Sequence, residues 1–277
     1  MRYGRIVALL LGVAGCGEAK PRPINVAPPV PEDVAPAPSA ELPTVKDRPA
    51  ASDPAAAELA GKALAAHTDN KPGEVTKFKT VEFVRVGLGK SAGDLPVKLT
   101  WEVAAGWPDK FRVRVEFPNQ QAAVVARSGK AGWRAGAGLP VPMTAAEVAE
   151  LQIDSTGEWM CFLFPLADPA TVLAPAAAAT VNGKACPGVK VWHPLLAPAV
   201  VHFDPDTKLL VRVTFEGREA GRPGVKEFDI LETKAYAGVK LAQRMAQKVD
   251  GRQYADWTLT KVDPKAALDP KLFDAGR

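Results

Sequence analysis

The sequence predicts an α+β fold, a large antiparallel β-sheet interrupted once by helices. Three observations carry this reading. Segments that alternate strictly between apolar and polar residues, such as 97–103 and 111–117, recur through the folded part at spacings of about 10–15 residues. Turn chemistry separates them: Gly106-Trp107-Pro108-Asp109, Asn182-Gly183 and Asp204-Pro205-Asp206. Only residues 144–174 break the series with helix signals, and nowhere do strands and helices alternate as a parallel sheet requires.

The elements follow in order. Residues 55–67 are alanine-rich behind Asp53-Pro54, an N-cap followed by proline at the first helical position. Leu59, Ala60, Ala63 and Leu64 give this helix a small apolar face. It ends before the Asp69-Asn70-Lys71-Pro72-Gly73 turn. Residues 75–86 read as a strand with Val81 and Phe83 on one face. Residues 97–103 and 111–117 form a hairpin, apolar on one side and wet on the other, and 122–126 with 131–135 form a second around Ser128-Gly129-Lys130. Thr144-Ala145-Ala146-Glu147 is a capping box opening the helical region. Trp159-Met160-Cys161-Phe162-Leu163-Phe164 is its most apolar stretch, and Pro165 and Pro169 punctuate it. Strands resume at 177–181, 189–193, 200–203, 209–215, 225–233, 239–249 and 254–262, and the chain closes on residues 268–273.

Composition bounds what such a fold could do. The chain has 277 residues, 47% hydrophobic and 24% charged, as a globular protein does. A mean hydropathy close to zero excludes a polytopic membrane protein. With 35 basic against 31 acidic residues the net charge is +4, too weak to argue for nucleic acid.

Proline and cysteine are unevenly placed. Residues 17–54 hold ten of the 26 prolines and no aromatic residue, so this stretch cannot bury enough apolar surface to offset its ordering entropy. It reads as a semi-rigid polyproline tether. Ahead of it, Arg2 and Arg5 precede the uncharged run 6–13, which is far shorter than the roughly 20 residues that span a bilayer. That run ends in Val13-Ala14-Gly15-Cys16, which resembles the lipobox of bacterial lipoproteins. The resemblance implies a signal peptide over 1–15 and an acylated (palmitate-type) Cys16 that anchors the chain to a membrane. Gly17 leans the destination towards the outer membrane. The expected organisation is therefore signal 1–15, lipidated Cys16 and tether to residue 54, and a folded domain over 55–277 facing the periplasm.

Catalytic constellations are absent from the sequence. There are only three histidines, His67, His193 and His202, of which the last two flank a turn. No HExxH and no Cys/His spacing supports a metal. Gly87-Leu88-Gly89-Lys90-Ser91 imitates the end of a phosphate loop, but the first glycine would fall at Val84, so it reads as a glycine-rich loop. No GxSxG surrounds a serine. Glu227 and Asp229 alternate on a strand, as on a solvated face. The chain is expected not to be an enzyme and to need no cofactor. Cys161 and Cys186 either form a disulfide, as an exported pair can, or serve as small core residues.

Three segments together resemble the LolA-like family, and especially its outer-membrane lipoprotein-sorting-protein relatives. One is the helix followed by the hairpin from Trp101 to Phe117. Another is residues 200–213, Val-Val-His-Phe-Asp-Pro-Asp-Thr-Lys-Leu-Leu-Val-Arg-Val. The third runs from 229–236 through Gly238-Val239-Lys240-Leu241 and residues 256–262 to the ending at 268–273. Ala242 stands where these relatives usually carry proline. The resemblance covers about residues 55–277 and implies a strongly curved, unclosed barrel with helices lidding its concave face. By alternation Leu99, Trp101, Val103, Phe111, Val113, Val115 and Phe117 would then point inward, and Trp159, Phe162 and Phe164 would belong to the lid. These ten are the candidate ligand-binding residues, for an acyl chain, a lipid or a lipoprotein in sorting or transport. The alternative is an envelope sensor or interaction protein that uses the same fold on a protein partner without lipid cargo. A monomer is expected in either case.

Overall fold

A computed structural model describes residues 42–90, 96–118, 121–136, 138–219 and 222–275. The expected signal peptide, Cys16 and most of the tether lie outside the described residues.

Thirteen strands form one antiparallel sheet: β1 Thr80–Lys90, β2 Pro96–Gly106, β3 Lys110–Glu116, β4 Ala122–Ser128, β5 Ala131–Ala135, β6 Val141–Pro142, β7 Val172–Val181, β8 Lys184–Trp192, β9 Ala199–Phe203, β10 Leu210–Glu219, β11 Arg222–Tyr236, β12 Val239–Val249 and β13 Arg252–Pro264. Their spatial order is β6-β5-β4-β3-β2-β1-β13-β12-β11-β10-β9-β8-β7. Every neighbour is also a neighbour in sequence except β1 and β13, which pair antiparallel along most of β1. The sheet is thus two meanders joined through their ends, with β6 and β7 as its edges. It does not close. Strand twist accumulates in one direction, so a sheet this wide must curl. The concave face carries the apolar parity of each strand, for example Leu99, Val103 and Ala105 on β2 and Phe111, Val113 and Val115 on β3, all buried.

The chain crosses from one edge to the other through α2 (Ala145–Asp154), α3 (Thr156–Cys161) and α4 (Phe164–Ala167), preceded far upstream by α1 (Pro54–His67). The expected caps are present. Asp53 accepts from the Ala55 and Ala56 amides, and the Thr144 and Glu147 side chains cap α2 reciprocally. Leu163, between α3 and α4, has φ 66° and is fully buried, a left-handed turn at which α3 ends and α4 begins. Phe162 and Phe164 on either side of it are both buried in the core.

Several expectations change. Residues 75–79 are not strand: Pro72–Lys79 is a 3-10 helix, opened by Pro72, and its three-residue spacing buries Val75 and Phe78 together. Gly87 and Gly89 lie within β1, not in a loop. A Cβ on Gly87 would sit 1.9 Å from the Asp256 carbonyl oxygen of β13, so the residue is glycine because another backbone passes there. Gly87→Ala should therefore force β1 and β13 apart and destabilise by at least about 1–3 kcal/mol, read as a lower urea midpoint. An unchanged midpoint would mean that the two strands do not pair at this position.

Residues 44–53, which the sequence reading assigned to the tether, bond to the folded part. The Thr44 carbonyl accepts from Trp192 Nε1 at 2.8 Å, the Asp53 amide donates to the Leu173 carbonyl at 2.8 Å, and Ser52 Oγ accepts from the Leu173 amide at 3.1 Å. Residues 44–53 thus fasten to the start of the edge strand β7, at Leu173, while most of its further length stays exposed. Cys161 and Cys186 are free and buried. Cys161 ends a helix of the lid while Cys186 sits near the turn end of β8, so each serves as a small core residue and no bridge links them. Burial raises both thiol pKa values.

His67 ties α1 to the sheet. Its Nε2 accepts from the Leu210 amide at 2.8 Å, and its Nδ1 bonds the Lys240 carbonyl. Holding both bonds requires a neutral ring, and burial lowers the pKa to about 4. The unfolded chain takes up a proton near pH 6.5, where the folded one does not. Stability is therefore complete above that value and falls as pH drops towards about 4. Between about pH 7.5 and about pH 5, wild type should lose about 2 kcal/mol more than His67→Gln in urea unfolding. Equal losses would show that His67 titrates normally. His193 and His202 are also held low by burial, with separate partners: His193 Nδ1 accepts from the Leu195 amide, and His202 Nε2 bonds the Ala177 carbonyl.

Candidate functional site

The concave face is packed shut over one half and open over the other. In the packed half, Trp107 of the β2–β3 turn meets Trp159 and Phe164 edge-on, with ring centroids 5.4 and 4.8 Å apart. Phe162 stacks on Phe78 at 5.6 Å and tilts against Phe83 at 5.3 Å. In the open half a cavity of about 140 Å³ lies between the sheet and α2–α3. That is roughly the space that encloses one benzene ring in an engineered protein core.

Six of the ten expected residues line this cavity: Leu99, Trp101, Phe111, Val113, Val115 and Phe117. The other four do not. Val103 lies beneath the packed half, and Trp159, Phe162 and Phe164 fill that half as core. Their large rings occupy the volume a ligand would otherwise take. The far wall comes from residues on which the sequence reading was silent: Phe228 of β11, Gln247 of β12, and Tyr254, Ala255 and Trp257 of β13. The pairing of β1 with β13, which joins the two meanders, brings them to the same concave face as β1–β3.

Polar groups enter this apolar wall in three places. Arg85, on β1, is 1% exposed. Its Nη1 meets Glu158 Oε1 of α3 at 2.9 Å. Its guanidinium carbon lies 5.2 Å from the ring centroids of both Phe83 and Trp101, and 5.9 Å from that of Trp257. Trp101 and Trp257 are tilted together at 4.5 Å, and Trp257 Nε1 donates to Gln247 Oε1 at 2.9 Å. Arg85 Nε, Arg85 Nη2 and Trp101 Nε1 are buried and have no hydrogen-bond partner among the described residues. Beneath α2, Lys226 Nζ pairs with Asp154 at 2.9 Å. Burial raises the pKa of Asp154, and burial followed by the neighbouring Asp154 raises that of Glu150.

One signal could have located Arg85. Val81 and Phe83 face inward, and Arg85 shares their parity, so a charged residue stands in the apolar register of its strand. Glu158, one residue ahead of the apolar run at Trp159, is its partner. Among the described residues, no three His, Cys, Asp or Glu side chains converge as a metal site, and nothing sets a nucleophile beside a base within the cavity.

The architecture resembles solved structures more than the sequence resembles known sequences. No protein-family model and no curated protein matches the chain. Among solved structures, a LolA superfamily protein from Nitrosomonas europaea superposes with a TM-score of 0.51, covering 79% of this chain and 97% of that one at 9% identity. The chain has the LolA-like fold. At that identity the likeness concerns fold alone. A DUF1329 family protein from Desulfovibrio piger (TM-score 0.47, 11% identity, covering 79% of this chain and 96% of that one) and an outer membrane lipoprotein-sorting protein domain from Vibrio parahaemolyticus (0.42, 11%, covering 73% and 95%) are more distant matches and add nothing to the assignment. Within this LolA-like half-barrel the helices α2–α4 take the position of a lid over the concave face. The cavity is the part they leave unfilled.

Proposed function

We propose that this chain is a membrane-anchored lipoprotein of the bacterial envelope whose half-barrel binds an apolar ligand, an acyl chain of a lipid or lipoprotein. The observation that carries this reading is the cavity inside the concave face, walled by Leu99, Phe111, Val113, Val115, Phe117 and Phe228. Binding sites for small molecules are concave and mostly apolar, with a few placed polar groups. A module that binds a protein partner without cargo needs an exposed surface and would gain nothing from an internal apolar hollow, so ligand binding is favoured over the sensor reading. The cavity offers binding rather than catalysis.

The cavity holds only a short acyl segment, so a full chain enters with displacement of α2 and α3. Native mass spectrometry after mild extraction should find co-purifying lipid or acylated peptide. Recovery of empty protein, together with failure to bind the uncharged probe N-phenyl-1-naphthylamine, would sink the reading.

In the same proposal Cys16 carries the anchor, the prolines hold the domain off the membrane, and the domain works as a monomer in the periplasm, with the outer membrane favoured. Cys16→Ser should move the protein from the membrane fraction to the soluble fraction on cell fractionation. Retention in the membrane would remove Cys16 from this role.

A further inference from the structure

A second, open hollow lies at the C-terminal end of α1 and shares no lining residue with the concave cavity. Lysines from four separate elements line it: Lys62 of α1, Lys208 of the β9–β10 turn, Lys234 of β11 and Lys240 of β12. Among the described residues, Asp69 is the one acid in the same wall. Four ammonium groups against one carboxylate leave the hollow strongly positive, although the chain as a whole is not.

The acids around it are already engaged. Asp204 and Asp206, in the turn that carries Lys208, both bind Lys184, at 2.9 and 2.7 Å. Glu74, beside Gly238 of the β11–β12 turn, binds Lys77. Lys62 pairs with Glu58 one helical turn away, but both side chains are more than half exposed, and such a pair contributes little. The lysines also keep hydrogen-bonding capacity. An ammonium has three N–H donors. Lys240 Nζ uses two of them, on the Ala66 carbonyl at 3.1 Å and on Asp69 at 2.9 Å. Lys208 Nζ uses one on the Pro205 carbonyl, and Lys234 Nζ lies 5.9 Å from the Tyr236 ring centroid. What the hollow lacks is an anion with several oxygens, and lysine meets phosphate as a point charge.

The path of the chain says where such phosphates stand. The tether reaches the domain through residues 44–53, which lead into α1. The 14 residues of α1 carry the chain about 20 Å from there to the hollow. Residues 17–43, at about 3.1 Å per residue when extended, can span roughly 80 Å. That reach is ample to turn this end of α1 back onto the bilayer that holds the anchor.

We infer that the hollow docks the domain on anionic phospholipid headgroups of that bilayer, with phosphate received among Lys62, Lys208, Lys234 and Lys240. This rests on the anchored-lipoprotein reading above and adds the face that the domain turns to the membrane.

The unlipidated protein, Cys16→Ser, separates this contact from the anchor. At about 50 mM salt it should co-sediment with vesicles of phosphatidylglycerol and phosphatidylcholine in equal parts, and not with phosphatidylcholine alone. Raising the salt to about 300 mM should release most of it, since exposed charges are screened. Lys62→Gln and Lys234→Gln, both at exposed positions, should each weaken the partition about 5-fold, the share of one lysine at an anionic surface. Lys130→Gln, in the β4–β5 turn, removes the same charge elsewhere and should change nothing. No binding to the mixed vesicles, equal binding to phosphatidylcholine alone, or an equal loss for Lys130→Gln would overturn the inference. Cell fractionation of the lipidated chain decides the anchor by itself, so the two readings fail separately.

Discussion

Glu158→Ala should destabilise the fold by about 3–5 kcal/mol. The carboxylate is the single anionic partner of Arg85 among the described residues, and Arg85 is 1% exposed. Removing it leaves a guanidinium among Phe83, Trp101 and Trp257. These rings offer cation–π attraction at 5.2–5.9 Å, typically worth about 0.5–2 kcal/mol, well short of the desolvation of an unpaired ion. Replacing both partners, Arg85→Met with Glu158→Leu, should recover most of the loss, because two apolar side chains have no charge to desolvate. Urea unfolding of the three proteins checks this. If Glu158→Ala costs less than about 1 kcal/mol, water reaches Arg85 and the pair is not buried as described.

Trp159→Ala should cost about 3–5 kcal/mol, the usual penalty for deleting a buried aromatic ring. Trp159 is 1% exposed and is held by Trp107, Phe164 and Phe111, with ring centroids 5.4, 5.5 and 6.4 Å away. It joins the lid to the β2–β3 turn. Val113→Ala, in the wall of the open half, should cost much less, since its side chain already faces a void and has fewer contacts to lose. The ratio of the two losses measures how differently the halves of the concave face are packed. Comparable losses would mean that the cavity closes in solution.

The strands were legible because a half-buried strand has a local signature, period-two alternation, and the hairpins because their turns carry residues that favour left-handed backbone. Asn182-Gly183 and Asp250-Gly251 both adopt positive φ. Local signals failed where the periods converge. Residues 75–79 place Val75 and Phe78 three apart, which the 3-10 helix uses and the strand reading did not expect. At Gly87 the glycine was read as loop chemistry, whereas its cause is the Asp256 carbonyl on a strand about 170 residues away.

The sequence by itself determined the strand series, the helical interruption and the inward parity of residues such as Leu99, Trp101 and Phe111. These depend on the order of apolar and polar residues along the chain, and burial of one face then follows from the hydrophobic effect. Tertiary structure alone decided which inward residues line a space and which fill it. Trp159, Phe162 and Phe164 are as apolar as Phe111 and Phe117, yet they pack one half shut. The difference lies in summed volumes across a curved sheet, a quantity that no segment encodes. Tertiary structure also set Arg85 against Glu158 and left one edge of its guanidinium without a hydrogen-bond partner among the described residues. That outcome depends on where β1 and α3 come to rest against each other, since burial is what gives an unpaired donor its cost.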